Sequence, residues 1–360
     1  MELRKLTSAD MQQVRSVWKA CFGDSDSFLD AYFAACANIA DGLGFFDSGR
    51  LVSSMFTYRI NVNISGMVYQ SQFIAGCGTL PEARNQHLMR SLIHSALTDM
   101  ASRNICLCFL HPFLHSFYRK FGFETIAYVS RMQSQAQPVP SVKTASSISE
   151  LPFDSIYASY AAYVTQFDSY FIRNKSRMQA WLKLLFADGG KAVYIDGSDS
   201  TPYALYYDKK DDQGSVRSEI FELVYFRPEQ LAALTGGTGC PSSYFLPAAG
   251  PAENAADRED MEFTMMRVLD PQVMLGAYQY PAGAQPFVIN IHDAFLGCDY
   301  NLQVSPQGSS AAVRPSAAPA DIVTDVGGLA QLFAGTYPPK EFPAAVPFFA
   351  SGSSCFFETY

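Results

Sequence analysis

Apolar positions along the chain switch between two spacings, and the switches lay out its elements. Leu3 and Leu6 give way to Met11, Val14, Val17, Trp18, Cys21 and Phe22, a helical repeat for which Ser8 or Asp10 offers an N-cap. A second amphipathic helix is predicted over residues 28–40. Phe45-Phe46, residues 51–61 and residues 62–73 read as three antiparallel strands, with turns at Ser48-Gly49 and Ser65-Gly66. An apolar run over 73–80 then leads through Pro81 to a polar turn at 84–90 and a helix through 91–97. A strand over 105–110 and a short helix ending at Gly122-Phe123-Glu124 follow. A strand through 125–132 closes the unit, so residues 1–135 are predicted to form a layered α/β domain.

Residues 133–147, rich in Pro, Gln and Ser and without a period, read as a linker. Two helical stretches over 148–187, strands at 191–196, 201–208 and 218–225, and a helix over 229–234 opened by Pro228 repeat the first domain in outline. No Arg-x-x-Gly-like loop precedes that helix, so residues 148–240 read as a structural duplicate without a phosphate cradle. A Pro/Ala/Gly-rich stretch, 240–260, links to an α+β unit over 258–360. That unit opens with residues 261–270, has a strand at 287–293, alternates over 301–305 and carries a helix over 326–333. His292 and Asp293, on its strand, are assigned to structure.

Composition bounds what such a chain can do. Its 360 residues exceed one typical core, and 48% hydrophobic against 17% charged residues suit a globular protein. A formal charge of −8 and a pI near 5.1 argue against a general nucleic-acid role and mildly favour a cationic ligand. The eight cysteines form no Cys-x-x-Cys, and no His stands at zinc-ligand spacing from Cys106 or Cys108. Reduced core thiols and no metal site are therefore expected. No apolar segment follows Met1-Glu2-Leu3-Arg4-Lys5 and no run reaches about 18 apolar residues, so no membrane span and a cytoplasmic location are expected.

The chemistry concentrates between Phe73 and Glu124. Free backbone N–H groups at a helix N-terminus bind pyrophosphate well, and Asn85 to Arg90 stand where a strand and a Pro lead into a helix, with Arg84 and Arg90 adding charge. Tyr118 lies just before Gly122-Phe123-Glu124; with an ordinary pKa of about 10 its hydroxyl could protonate a thiolate leaving group, or the ring could simply pack. His111 and His115 flank it as supporting polar groups.

Residues 74–90 resemble motif A of the GNAT superfamily, a strand, a Pro and then Arg-x-x-Gly-x-Gly/Ala, and residues 117–124 resemble its motif B. Two GNAT-like halves before a unit with Met265-Met266-Arg267-Val268-Leu269-Asp270 and residues 321–335 resemble the Eis (enhanced intracellular survival) family. The resemblance implies two tandem GNAT-like domains followed by a sterol-carrier-protein (SCP2)-like α+β domain, and acetyl-CoA as donor. Cys77, Gly78 and Thr79 would meet the pantetheine. Arg84, Asn85, Gln86, His87, Leu88, Met89 and Arg90 would enclose the pyrophosphate, although His87 and Met89 stand where the motif has Gly and Gly/Ala. Tyr118 would be the general acid, and the C-terminal carboxylate, here that of Tyr360, the general base; an aromatic tail that only packs is the alternative. The acceptor would be a small-molecule or peptide amine, of aminoglycoside or lysine type, and the assembly a homo-oligomer, with hexamers among family members. Trp18, Phe22, Asp24, Asp26 and Glu358 are the positions from which an acceptor wall would be drawn. A lipid- or acyl-binding protein acting through the third unit, and a pseudoenzyme with cofactor binding weakened at His87, are the competing readings.

Overall fold

The computed structural model describes residues 1–36, 38–136, 142–197, 200–210, 213–248, 259–336 and 340–358. After β1 (Glu2–Lys5) come α1 (Met11–Phe22) and α2 (Asp26–Ala35), then β2 (Gly42–Asp47), β3 (Arg50–Ile64) and β4 (Met67–Thr79). Left-handed backbone at Ser48-Gly49 and Ser65-Gly66 makes the two hairpin turns, the twist that lets adjacent antiparallel strands stay paired. The strand expected to break at residue 61 therefore runs unbroken to Ile64. α2 starts and ends earlier than its apolar period suggests, because the Ser25 hydroxyl caps the Phe28 amide at 3.1 Å. α3 (Leu88–Ser102), β5 (Leu107–Leu110), α4 (His115–Arg119) and β6 (Glu124–Thr125) complete the segment expected to carry the chemistry.

The strand expected over 125–132 divides. β6 stays in the first sheet, while β7 (Tyr128–Ser134) crosses into a second one. That second sheet continues with β8 (Val142–Ala145), and the chain then makes α5 (Phe153–Val164), β9 (Ser169–Ile172) and α6 (Lys175–Ala187). β10 (Lys191–Ile195), β11 (Tyr203–Lys210), β12 (Val216–Val224), α7 (Pro228–Gly236) and β13 (Ser242–Ala248) follow. Two stretches expected to be linkers thus contribute strands, β8 and β13. β13 runs parallel to β12 and antiparallel to β7, so it is defined by its neighbours rather than by its own Ser- and Pro-containing sequence.

The third unit shares its first strands with the other two. β14 (Glu259–Glu262) pairs with β7, and β15 (Met265–Val268) inserts between β5 and β6. Only then does a separate four-stranded sheet form. The chain adds α8 (Pro271–Ala277), β16 (Phe287–Asp293), β17 (Cys298–Gln307), β18 (Ser310–Pro315), β19 (Ile322–Asp325) and α9 (Val326–Ala334), with strand order β18-β17-β16-β19. Finally β20 (Ser354–Cys355) pairs in parallel with β9, which itself pairs with the end of β3. The described residues make a mixed α/β fold of three sheets in which the tail returns to the first.

Two buried arginines fasten these exchanges. Arg267 on β15 donates to the Phe121 carbonyl at 2.8 Å and to Asp293 at 2.6 Å. A Cβ at Gly122, where φ is +78°, would stand 1.9 Å from the Arg267 guanidinium, which explains why this turn takes Gly. Arg173, just past β9, is fully buried and donates through Nη1 to both oxygens of Glu222 at 2.9 and 2.8 Å and through Nε to Glu358 at 2.8 Å. Tyr203 and Trp181 also donate to Glu222, at 2.6 and 3.0 Å. Removing one partner of such a buried set leaves an uncompensated charge. Glu222→Ala is expected to lower the unfolding free energy by about 3–5 kcal/mol, read as a shifted denaturation midpoint; a shift near zero would show that Arg173 finds another partner.

Candidate active site

The site begins at a flaw in β4. Ser54 pairs with Gly78 but Phe56 pairs with Ala75, so β4 carries one extra residue opposite Met55. Gly76 takes φ +59° there, and a Cβ on it would lie 2.4 Å from the Trp18 ring. The bulge turns β4 away from β5, with which it pairs only from Gln72 to Ile74. From Ala75 to Thr79, β4 pairs with β3 alone among the described residues. Its other edge offers backbone donors and acceptors to an extended ligand, the way a strand is added to a sheet. Cys77, Gly78 and Thr79 lie on that stretch.

Beyond β4, Pro81–Ala83 form one turn of 3₁₀ helix, Arg84 is extended, and Asn85 and His87 both adopt left-handed backbone, with φ +62° and +59°. His87 thus has the conformation that a glycine would take without strain. No side chain caps α3, and the backbone of its first turn faces outward beside exposed Asn85, Gln86 and His87. That is the arrangement an anion binds. Leu88 is buried and Met89 packs against the core between α3 and the sheet, so the residue at the motif's second glycine position points inward. Arg84 donates to the Thr79 carbonyl at 3.2 Å, and the Arg90 guanidinium lies 4.9 Å from the centre of the Phe295 ring.

α4 sets Tyr118 at the mouth of the opening between β4 and β5. Its ring is buried against Phe117, Phe113 and Phe123, and its hydroxyl meets the Cys77 thiol. Burial, then the neighbouring Cys77, raise the Tyr118 pKa, and burial pushes the Cys77 thiol up to about 12. Both groups are therefore protonated at neutral pH, the state a proton donor needs. His111 is held down to about 4 by burial and then by His115, so it is neutral, and it packs on Phe263.

The tail comes to the same region. Ser353 and Asp168 exchange hydrogen bonds, β20 lies along β9, and Phe356 packs on Phe171 with ring centres 4.7 Å apart. Glu358 is fully buried and takes hydrogen bonds from Arg173 at 2.8 Å and Arg177 at 2.6 Å. The Arg177 guanidinium lies 4.3 Å over the ring of Tyr58 on β3. Tyr32 of α2 has a buried hydroxyl with no hydrogen-bond partner among the described residues; burial and then Cys36 raise its pKa, Arg177 opposes the rise and Cys77 adds to it. Tyr360, expected as the base, lies outside the described residues.

Of the expected acceptor wall, Trp18 donates to Asp24 at 2.6 Å and Asp26 pairs with Lys19 at 2.6 Å. Glu358 is committed to its arginines and is not a free carboxylate for an ammonium. Sequence reasoning misses Tyr32, Tyr58, Arg173, Arg177 and Glu222. Two arginines four residues apart at the head of an apolar, aromatic helix are the available signal, since buried cations need partners. Among the described residues no group of three or more His, Cys, Asp or Glu could hold a metal, and no helix is long and apolar enough to cross a membrane.

The model of the acetyltransferase (GNAT) domain family matches residues 2–126, the part of the chain that holds the β4 opening, the α3 loop and Tyr118. No curated protein sequence matches the chain. Solved structures do. A probable N-acyltransferase from Enterococcus faecalis shares 18% identity and a TM-score of 0.79, over 100% of this chain and 99% of that one. A GCN5-related N-acetyltransferase from Anabaena variabilis shares 16% identity and a TM-score of 0.77, over 100% of both chains. Eis1 from Mycobacterium abscessus shares 17% identity and a TM-score of 0.71, again over 100% of both. Residues 2–126 are therefore an acetyltransferase (GNAT) domain, and the chain as a whole is similar in fold to Eis1.

Proposed function

We propose that the protein transfers acetyl from acetyl-CoA to a primary amine, with Tyr118 as general acid. The observation that carries this reading is the buried Tyr118 hydroxyl beside Cys77, at the point where β4 leaves β5. The backbone of Cys77, Gly78 and Thr79 holds the pantetheine, and the amides from Asn85 to Arg90 hold the pyrophosphate. The neutral amine attacks the thioester carbonyl, the C–N bond forms and the C–S bond breaks. The departing sulfur takes the Tyr118 proton, and the proton lost by the attacking nitrogen passes to a base.

That base, in this reading, is the α-carboxylate of Tyr360 when the chain ends there. Glu358, two residues before Tyr360 in the sequence, is anchored by Arg173 and by Arg177, whose guanidinium lies over Tyr58. An ordinary α-carboxyl pKa of about 3.3–3.7 makes it a weak base, and burial behind Phe356 and Phe357 would raise it. The acceptor is a polyamine of aminoglycoside type or a lysine side chain, which the acidic balance of the chain suits. The third unit is SCP2-like and the protein a cytoplasmic homo-oligomer, a hexamer by the family resemblance. Tyr278, Tyr280, Phe287, Phe333 and Phe349 pack together inside the third unit, which favours a filled core over a lipid cavity and weakens the lipid-carrier reading.

Tyr118→Phe is expected to lower kcat by about 10²–10⁴ across a panel of amines while leaving the acetyl-CoA Kd unchanged. Activity equal to the parent would overturn the acid role. His87→Gly removes left-handed strain and is expected to stabilise the fold by about 1 kcal/mol. The acetyl-CoA Kd of the same variant separates the two roles of the imidazole, with tightening expected from relief of crowding and loosening from loss of a donor.

A further inference from the structure

We infer that Phe295, in the third unit, is a positioning residue for the donor: it holds Arg90 over the α3 phosphate cradle. The inference rests on the acetyl-CoA reading above. Phe295 follows β16 in a turn set by Asp293, whose Oδ1 accepts from the amides of Phe295 at 3.2 Å and Leu296 at 3.1 Å. The other oxygen of Asp293 takes the Arg267 hydrogen bond, so this turn is tied to β15 inside the first sheet. The Phe295 ring is buried between α3 and the turn that follows α4, with its centre 5.1 Å from Phe121 and 5.6 Å from His94. Arg90 stacks on this ring.

Arg90 gains little for the fold where it stands. It lies in the first turn of α3, where a cation opposes the helix dipole, and it makes no ion pair among the described residues. An arginine side chain otherwise keeps much rotamer freedom that binding would have to remove. Stacking on Phe295 fixes the stem in the first turn of α3, which follows directly on exposed Asn85, Gln86 and His87, where a pyrophosphate would sit. Donor affinity is thereby coupled to the docking of the third unit on the first.

The test compares Phe295→Leu, which keeps apolar bulk without a π face, with Phe295→Tyr, which keeps the face, in parent and Arg90→Gln backgrounds. KM and kcat are read for acetyl-CoA and for S-acetylpantetheine, which lacks the phosphates. Phe295→Leu is expected to raise the acetyl-CoA KM about 2- to 5-fold with kcat unchanged. It should leave S-acetylpantetheine unaffected, add nothing once Arg90 is Gln, and be rescued by Tyr. An equal effect on both donors, or in both backgrounds, would reduce Phe295 to a packing role and overturn the inference. If Arg90→Gln weakens acetyl-CoA but Phe295→Leu does not, the inference alone fails. If Arg90→Gln leaves acetyl-CoA unaffected, the assignment of Arg90 to the donor fails with it.

Discussion

Four charges out of water hold this molecule in its functional form. Arg173, Glu222 and Glu358 are fully buried and Arg177 nearly so, and each has its charge answered by an opposite one within 3 Å. Burial alone would raise the Glu358 pKa; Arg177 and then Arg173 outweigh it and hold the carboxyl below its ordinary 4.5. A carboxyl lowered on folding contributes stability above its unfolded pKa and loses it as pH falls through the lower folded value, so the clasp weakens only in acid. The set joins β12, the head of α6 and the tail, and the stacking of Arg177 on Tyr58 extends it to β3. Through this clasp the second unit receives residues 353–358.

The opening beside β4 depends on a different device, a misfit between neighbouring strands. An extra residue at Gly76 separates β4 from β5, and the unpaired edge, the uncapped α3 and Tyr118 then face one opening. Strand exchange frames that opening. β15 closes the gap between β5 and β6, and its Arg267 binds both the Phe121 carbonyl and Asp293. Tyr32, on α2, keeps a buried hydroxyl that no described residue satisfies.

Local chemistry makes the elements between Phe73 and Glu124 legible in the sequence. The turns at Ser48-Gly49 and Ser65-Gly66, the strand–Pro–basic-turn–helix order and the Tyr118 to Gly122 spacing are short-range patterns with a direct backbone meaning. What escapes is set by tertiary pairing. β13 and β8 read as linkers because their partners, β7, β12 and β10, are far away in sequence. β15 reads as the start of a third unit because nothing near Met265 signals that its neighbours are Leu110 and Thr125. Glu358 reads as part of an acceptor wall because its two arginines lie more than 180 residues away.

Catalysis in the proposed mechanism needs the tail as the partner of Tyr118, and the direct measurement is single-turnover acetyl transfer by a protein extended by a few residues past Tyr360. Where the chain ends at Tyr360, transfer should be lost while acetyl-CoA binding and the denaturation midpoint stay at the parent values, because the extension displaces only the carboxylate proposed as the base. Transfer at the parent rate from the extended protein would contradict it.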